Sequence, residues 1–464
     1  MARLCIKIVL ALLVCALSVG PPQGVSATET SDEAFWLAAE RACYADVHCM
    51  IRAVENAPPL PWSRGWENPE ELFDSLKKAR RFEALGLSES DGRQLLQAVL
   101  KARASAKNAS TKPSVSEARM ASFAAFLQPP AFPYRAPAEF EPLGAVLFRW
   151  PFDWSTMQSM WANMINICAQ AGVKAVVWVS TPLQRRAALS YLQEQGVSTE
   201  HIRWVTDPTD SVWIRDYGPQ VIRDVDSAQW GVVDFHYYDD RKKDDNTPKV
   251  IALGLQLPYV DRQRSDVVYT EGGNLNNDGF GGVVYSQRTY KRNPNVPPEE
   301  VDRRILSALQ ATKALVPKDP VLDGTGHVDM FMKIVRPDTV LMGQYNPDQI
   351  DYAVLEDNAA LFARETNARG EPWRVVRIVQ PDVYYTRFLV PVVRTYTNSL
   401  IINDYVIVPV YGIAEDEQAL AVYREVLPEK TLVPLDARDI IPSGGAWHCV
   451  TMEIAVPELA QANH

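Results

Sequence analysis

The chain has 464 residues, of which 47% are hydrophobic and 22% are charged. This composition supplies enough apolar material for at least one large core, and it excludes a disordered or low-complexity protein. The formal net charge of -10 argues against a general nucleic-acid binder held by phosphate contacts. An acidic chain is better suited to a cationic partner.

The first 27 residues have the pattern of a secretory signal peptide. Arg3 and Lys7 supply a positive start, residues 8–19 form an apolar run, and a small-residue cleavage site ends at Ala27. The apolar run is too short to span a membrane, which takes about 20 residues. The sequence therefore predicts a soluble protein, periplasmic or secreted, that is exported, cleaved near Ala27 and without a membrane span.

Residues 28–129 are predicted to form a small helical extension. Between Asp32 and Arg103 apolar residues recur at spacings of three and four, which is typical of amphipathic helices. Residues 104–116 are rich in Ala, Ser, Lys and Thr and have the composition of a linker. We place a domain boundary near Pro129, so that residues 130–464 form the main domain.

Four cysteines remain once the leader is removed. Cys43 and Cys49 are close enough in sequence to close a short disulfide loop in an oxidising compartment, the alternative being two buried thiols on one helix. Cys168 lies in a helical pattern and is expected to be a buried packing residue. Cys449 has no obvious partner, and an unpaired thiol in an exported protein needs a reason.

From residue 130 onward short β-rich runs alternate with amphipathic helices, as in GAVLFRW, MQSMWANMINICAQAG and VKAVVWV. This alternation is typical of an α/β fold. Strand pairs such as SLIIN-DYVIVPV, joined at an Asn-Asp turn, indicate hairpins rather than βαβ crossovers. Because no GxGxxG follows an early strand and no P-loop lysine motif occurs, a Rossmann sheet is disfavoured.

Four segments that lie far apart in the sequence are dense in reactive residue types. They are DSVWIRDYGP with Trp213 and Asp216, EGGN with Glu271, GHVD with His327 and Asp329, and GGAWHC with Cys449. Each residue alone also fits a structural role, as a turn residue, a loop histidine, a helix cap or a small buried hydrophobe. Since α/β scaffolds build their sites from reactive groups at the ends of different strands, we expect these segments to meet.

A cysteine near a histidine permits a thiolate nucleophile with a general acid and base. Two carboxylates could hold a planar guanidinium through charge-assisted hydrogen bonds, which leaves its central carbon open to the sulfur. Trp213 could lie over the flat cation. The combination suits guanidine chemistry, but spacing alone does not distinguish it from a papain-like thiol hydrolase.

The motifs AEFEPLGAVLFRWP, DSVWIRDYGP, VVDFHYYDDRKKDDNTP, EGGN, GHVDMF, YTNSLIINDYVIVPVYG and GGAWHC occur in this order between Pro133 and Val456. With them the chain resembles the bacterial-type peptidyl-arginine deiminases and agmatine deiminases of the guanidino-group-modifying pentein superfamily. The resemblance implies a five-bladed ββαβ α/β propeller. The helical extension lies outside it.

The resemblance also implies the roles of individual residues. Cys449 would be the nucleophile, His327 the general acid and base, and Asp216 and Asp329 the carboxylates that hold the guanidinium. The residues implied to bind substrate are Trp213, Arg241, Glu271 and Asn398. The implied reaction passes through an S-alkylthiouronium intermediate to a ureido product and ammonia, and needs no metal or organic cofactor.

The motifs point to two substrate classes. The segment VVDFHYYDDRKKDDNTP resembles the peptidyl-arginine branch, so we expect conversion of peptidyl-arginine to citrulline, with agmatine to N-carbamoylputrescine as the alternative. Arg241 matches one of two arginines that bind a C-terminal carboxylate in that branch, but Asp239 stands where the other is expected. Glu271 departs as well, because EGG is associated with small-guanidine enzymes, where the glutamate orients the histidine.

Two other classes of function remain open. A thiol protease or amidase would be favoured if peptide-bond activity survived Asp216→Ala, and a silent module could use the acidic pocket to hold arginine-containing ligands. The aspartates of residues 239–245 could bind calcium through oxygen ligands. A solvated acidic loop, interleaved with basic residues, is the preferred interpretation of that stretch.

Overall fold

The computed structural model describes residues 129–461, apart from 256, 262–267 and 387. These residues belong to a compact unit that begins at Phe123. The predicted leader, the helical extension and the Cys43–Cys49 pair lie outside the described residues and stay predictions. Within the described part of the chain, no helix is both long enough and apolar enough to cross a membrane.

Short strands and helices alternate along the whole described chain, which confirms the predicted α/β class. The strands are β1 (Tyr134–Arg135), β2 (Ala145–Arg149), β3 (Lys174–Val179), β4 (Ile202–Thr206), β5 (Gln220–Asp224), β6 (Trp230–Asp234), β7 (Tyr259–Asp261), β8 (Asn276–Asn277), β9 (Gly282–Val284), β10 (Lys313–Leu315), β11 (Met332–Arg336), β12 (Thr339–Gln344), β13 (Arg374–Val379), β14 (Tyr384–Tyr385), β15 (Pro391–Val392), β16 (Leu400–Ile402), β17 (Tyr405–Val410), β18 (Thr431–Asp436) and β19 (Thr451–Ile454). The α-helices are Gln158–Gln170, Pro182–Glu194, Ile214–Tyr217, Lys242–Asp245, Thr247–Leu255, Arg288–Arg292, Pro298–Leu309, Tyr352–Arg364, Glu415–Val426 and Glu458–Gln461.

The described residues contain five units with the same order of strand, strand, helix and strand (ββαβ). An antiparallel strand pair is followed by a helix and by a third strand parallel to the second, in β5-β6-β7, β8-β9-β10, β11-β12-β13 and β16-β17-β18. The fifth unit is β19-β2-β3, whose first strand comes from the far end of the chain. Strand β4 extends this fifth sheet, β1 extends the sheet of β5, and β14 pairs with β15.

Local sequence explains the individual elements. The hairpin predicted in SLIIN-DYVIVPV is confirmed, and its turn places Asn403 in the left-handed region at a φ of 49°, which Asn tolerates better than most residues. The helix Pro298–Leu309 starts with a proline and two acidic residues, which suit a helix N-terminus. Its buried residues are Val301, Ile305, Ala308 and Leu309, the spacing of a helix with one apolar face.

The largest hydrophobic cluster contains residues of both the β2-β3 sheet and the β16-β17-β18 sheet. Cys168 is completely buried in this cluster on the helix Gln158–Gln170, as predicted for a packing residue. Cys449 belongs to the same cluster. The core therefore reaches directly up to the predicted nucleophile.

Six of the eight predicted site residues, all but Trp213 and Arg241, occupy one equivalent place in the five units. Each lies within the five residues that precede the unit's first strand, as given by these pairs: Asp216 before β5, Glu271 before β8, His327 and Asp329 before β11, Asn398 before β16, and Cys449 before β19. Because the first strand of each unit starts immediately afterwards, these loops have little freedom. The fold thus presents one short polar segment from every unit.

Candidate active site

Cys449 is held by Asn398, which comes from the neighbouring loop before β16. Asn398 Nδ2 donates to Cys449 Sγ at 3.1 Å. Asn398 Oδ1 accepts the backbone N–H groups of Ala446 and Cys449 at 2.9 and 3.3 Å. One amide side chain therefore fixes both the sulfur and the loop that carries it, as expected for a polar residue near the nucleophile.

The sulfur lies in an anionic, buried environment. Cys449 is only 3% exposed, and its Sγ lies 3.7 Å from Asp329 Oδ2. Burial, together with Asp329 and Asp216, raises the pKa of Cys449 well above that of an ordinary thiol, and the bond from Asn398 opposes this only in part. Without a substrate the residue is therefore a thiol.

Asp329 is tied to a histidine that immediately precedes the cysteine. His448 Nδ1 lies 2.7 Å from Asp329 Oδ2. Burial alone would raise the pKa of Asp329, but the hydrogen bond and the charge of His448 outweigh it and lower the pKa. Asp329 Oδ1 is buried and has no hydrogen-bond partner among the described residues, so this oxygen remains available to a ligand.

His327 lies between two carboxylates. Its Nδ1 is 3.5 Å from Asp216 Oδ1, and its Nε2 is 3.9 Å from Glu271 Oε2. Burial favours the neutral ring, but Asp216 and Glu271 outweigh this effect and raise the pKa of His327. The raised pKa favours the protonated ring, which is the form that can donate a proton.

Asp216 completes the anionic site. Its Oδ1 accepts the backbone N–H of Gly273 at 3.2 Å. Burial, opposed by His327 and reinforced by Asp329, raises the pKa of Asp216 to about 6. Its neighbour Arg215 ties this loop to the cysteine loop, because Arg215 Nε donates to the His448 carbonyl at 3.2 Å.

A glycine lies where the side chains of His327, Asp216 and Asp329 converge. A Cβ atom at Gly273 would be 2.7 Å from His327 Nδ1, 2.8 Å from Asp216 Oδ1 and 3.1 Å from Asp329 Oδ2. No side chain can therefore be placed there without moving all three groups. The second glycine of EGGN is explained by this close approach rather than by a turn.

Trp213 lies beside the cysteine loop, as predicted for a wall of the pocket. A Cβ atom at Gly445 would be 2.6 Å from Cys449 Sγ and 3.2 Å from Trp213 Cζ3. The sulfur and the indole therefore flank the same glycine. Trp154 packs edge-on against Trp213 with ring centroids 5.6 Å apart, which widens this aromatic wall.

Glu271 faces His327 with one carboxylate oxygen, and a cationic side chain lies against the other oxygen. Arg292 Nε lies 3.3 Å from Glu271 Oε1, and the Arg292 guanidinium stacks 4.1 Å from the ring centre of Tyr238. The glutamate is thus held between Arg292 and His327.

Arg241, which the resemblance implies to bind substrate, lies beside two tyrosines. It donates to the Tyr237 hydroxyl at 3.2 Å and packs over the ring of Tyr238 at 5.4 Å. Asp239 is exposed, and its Oδ1 lies 2.9 Å from His236 Nε2. The structure does not bring this segment into contact with Cys449 or Asp329.

The interpretation of residues 239–245 as a solvated acidic loop holds only in part, because Asp239 and Asp240 are exposed whereas Asp244 is buried. Residues Lys242–Asp245 form a short helix in which Asp244 is fully buried and accepts the backbone N–H groups of Asp210 and Ser211. Asp245 accepts instead from the backbone of Tyr237. Because their oxygens serve different backbone groups, these aspartates do not converge, and the calcium alternative has no support.

One set of potential metal ligands within the described residues comprises Glu139, His448 and Glu453, whose ligand atoms lie within 4.8 Å of one another. Two cations already occupy this region. Lys333 pairs with Glu139, and Arg215 pairs with Glu453. The carboxylates are thus balanced by side chains, and we assign no metal there.

Sequence reasoning gave no role to His448, Glu139 or Lys333. No local pattern joins them, because they come from segments far apart in the chain. A signal was nevertheless present, since Lys333 lies in the otherwise apolar run MFMKIV and Glu139 follows Pro and Ala before a phenylalanine. A charged residue within an apolar run is a candidate for a buried, paired group.

A buried cysteine, a histidine between two carboxylates and a further buried carboxylate on an α/β pentein fold define a guanidine deiminase. Residues 135–455 match the family model described as Porphyromonas-type peptidyl-arginine deiminase. The chain belongs to this family, which confirms the resemblance drawn from its motifs.

The curated relatives include proteins named agmatine deiminase. One from Stutzerimonas stutzeri (strain A1501) is 27% identical over 358 residues, which cover 70% of this chain and 96% of the relative. Another from Pseudomonas aeruginosa (strain LESB58) is 28% identical over 369 residues, covering 72% of this chain and 98% of the relative.

Solved structures have the same fold. The agmatine deiminase of Enterococcus faecalis superposes with a TM-score of 0.62 at 24% identity, covering 70% of this chain and 96% of that one. The C. jejuni agmatine deiminase gives a TM-score of 0.58 at 16% identity, covering 69% and 95%. At these identities the likeness bears on the fold alone.

Proposed function

We propose that this chain deiminates a small guanidine, with agmatine as the substrate and N-carbamoylputrescine and ammonia as the products. The observation that carries the proposal is the buried Cys449 thiol beside the Asp216 and Asp329 carboxylates, with His327 as a cation. The peptidyl-arginine reading favoured by the motifs becomes the second candidate, because the curated relatives are named for agmatine.

Binding of the guanidinium is assigned to the carboxylates. Asp329 Oδ1, which lacks a hydrogen-bond partner in the described part of the chain, and Asp216 would accept its N–H groups. The trigonal carbon would then face Cys449 Sγ, with Trp213 alongside the flat cation. Full desolvation makes these charge-assisted hydrogen bonds strong.

The bound cation also activates the nucleophile. In the empty site the two carboxylates disfavour the thiolate, and the guanidinium charge offsets them, so binding lowers the thiol pKa and releases its proton to solvent. The thiolate attacks the guanidinium carbon, and His327 protonates the departing nitrogen, which leaves as ammonia. An S-alkylthiouronium intermediate on Cys449 remains.

Hydrolysis regenerates the enzyme. Having given up its proton, His327 becomes a base that takes a proton from an attacking water. The tetrahedral adduct collapses to the ureido product and releases the Cys449 sulfur. Glu271, 3.9 Å from His327 Nε2, stabilises the charge of the ring each time it returns to the cationic form.

The charge distribution supports a substrate without a carboxylate. Arg241 and Arg292 both pack on Tyr238, but the first is bonded to the Tyr237 hydroxyl and the second pairs with Glu271. A C-terminal arginine would have to break these contacts to pair its carboxylate. Agmatine carries an amine and no carboxylate, which agrees with the acidic site.

A colour assay for ureido products decides between the two candidates. Agmatine, free arginine, a peptide with an internal arginine and a peptide with a C-terminal arginine are compared at equal concentrations, with Cys449→Ala as the blank. We expect kcat/KM for agmatine to exceed that for each arginine substrate by at least about tenfold, or 1.4 kcal/mol of transition-state stabilisation. A preference for a peptide would reverse the assignment.

We further infer that the five units stand around a common axis as a five-bladed propeller. Five equivalent loops meet at one site, which is what rotation about such an axis produces. An experimental structure tests this arrangement.

Export through the leader of residues 1–27 is likewise our proposal, supported by the sequence pattern. The mature protein would begin near Thr28, and a mass measurement of the protein recovered outside the cytoplasm tests it. The same measurement under non-reducing conditions tests the Cys43–Cys49 disulfide. A linkage that involves Cys449 in active enzyme would contradict both assignments.

A further inference from the structure

A line of buried charges runs from Asp329 away from the substrate space. His448 Nδ1 lies 2.7 Å from Asp329 Oδ2, and His448 Nε2 lies 3.0 Å from Glu139 Oε2. Lys333 Nζ donates to the same glutamate oxygen at 2.5 Å and to the Ser399 carbonyl at 2.8 Å. Four ionisable side chains are thus joined end to end.

This line is costly for the fold to maintain. Glu139 lies before β2, Lys333 is on β11 and only 1% exposed, and His448 lies before β19, so three distant segments of the chain contribute to it. Buried charges are expensive to desolvate, and apolar residues of similar volume are often as stabilising or more so. Fold stability alone therefore does not account for these residues.

The geometry defines the protons on the histidine. Glu139 Oε1 accepts the backbone N–H of Ile401 at 2.8 Å, and Lys333 balances its charge. Burial alone would raise the pKa of Glu139, but Lys333 and His448 hold it well below its usual range. Because ionised carboxylates only accept hydrogen bonds, a histidine between Glu139 and Asp329 must donate from both ring nitrogens.

We propose that Glu139, whose charge Lys333 balances, is a positioning residue that keeps His448 doubly protonated, so that its Nδ1–H fixes the charge and orientation of Asp329. With Oδ2 held by His448, Asp329 keeps Oδ1 for the guanidinium. This inference rests on the proposed function, in which Asp329 binds that group.

Kinetics of Glu139→Gln test the role, because glutamine keeps the shape and removes the charge. We expect kcat/KM to fall about tenfold to a hundredfold, as when outer partners of an active-site ligand are lost. Without a cationic His448, Asp329 would titrate as the buried Asp216 does, so the acid limb of log kcat/KM against pH should steepen from a slope of one to two. The matched control is Glu141→Gln, two residues away in a half-buried pair with Arg135. This change should leave kcat/KM and the slope of the acid limb unchanged.

Nuclear magnetic resonance of protein labelled with 15N-histidine gives a readout that does not depend on activity. His448, identified by its loss in His448→Gln, should show two ring N–H groups in the wild type and one in Glu139→Gln. Lys333→Met leaves both carboxylates beside His448 and should keep its two N–H groups, so the loss in Glu139→Gln is assigned to the missing carboxylate. A single N–H group on His448 in the wild type, two in Glu139→Gln, or an unchanged acid limb would overturn the proposal. A wild-type protein inactive on every guanidine would instead overturn the proposed function, and the His448 spectrum would still be decisive.

Discussion

Asn398 donates to the sulfur of Cys449 at 3.1 Å while its carbonyl oxygen accepts the backbone N–H of the same cysteine at 3.3 Å. The two residues come from the loops before β16 and β19, so this double contact joins two units at the nucleophile. The hydrogen bond from Asn398 to the sulfur favours the thiolate, whereas burial and the nearby carboxylates favour the thiol.

Asn398→Asp should therefore reduce kcat by at least about a hundredfold, since removing a donor to a developing charge typically costs 10²–10³. The aspartate keeps the shape and the accepting oxygen but replaces the donor with a further negative charge beside Sγ. Steady-state kinetics on agmatine measure the loss. A rate within a factor of two of the wild type would show that the donor has no part in activation.

Cys449→Ser should leave the fold and guanidine binding largely intact and reduce turnover below about one hundredth of the wild-type rate, because an alcohol is a far poorer nucleophile than a thiolate. Equilibrium binding of agmatine by calorimetry separates the two effects. Substantial residual turnover would remove Cys449 from the proposed mechanism. As a control, Cys168→Ser alters a thiol buried in the core and should lower stability rather than abolish turnover.

The pKa of Asp216 gives the pH dependence. Because this carboxyl must be ionised to bind a cation, agmatine binding should weaken as the pH falls through about 6. Asp216→Asn should lower kcat/KM by a factor that corresponds to a loss of roughly 1.5–3 kcal/mol of transition-state stabilisation, the contribution of a charge-assisted hydrogen bond. A pH profile of kcat/KM checks the first expectation, and an acid limb far from pH 6 would contradict it.

The raised pKa of Asp216 also predicts that ionisation of this carboxyl, which binding requires, lowers the stability of the fold. Its pKa is higher in the folded protein than the ordinary 3.8, so the ionised form costs folding free energy at pH values above about 6, and the cost disappears below about 4. Asp216→Asn should thus stabilise the fold at pH 8, by at most about 3 kcal/mol, and have little effect at pH 4. Thermal unfolding at both values measures this, with the exposed Asp357→Asn as the control.

Gly273→Ala should abolish activity, because the added methyl group would lie 2.7–3.1 Å from atoms of His327, Asp216 and Asp329. Gly254→Ala provides the matched control. No atom lies within 4 Å of a Cβ at that helical position, so activity should be unchanged and stability equal or slightly higher. Full activity in Gly273→Ala would mean that the three catalytic groups do not converge as described.

Much of the fold could be predicted from the sequence, because strand and helix periods and the Asn-Asp turn are local signals. The candidate site residues were proposed from their motifs, and the structure places the loops that carry them close together. The line from Asp329 to Lys333 could not be found in this way, since its members are joined only by tertiary packing. The raised pKa of Cys449 was missed for the same reason, as it depends on how closely Asp329 and Asp216 approach the sulfur after folding.

Strand β19 begins two residues after Cys449 and pairs antiparallel with β2, the first strand of the fifth unit's sheet to leave the ribosome. The pairing cannot form until translation has passed all the intervening strands. A nascent chain therefore lacks Cys449 until the other strands of the described chain have been made, and the site is assembled only when β19 docks. The order of synthesis keeps guanidine chemistry away from unfinished copies of the enzyme.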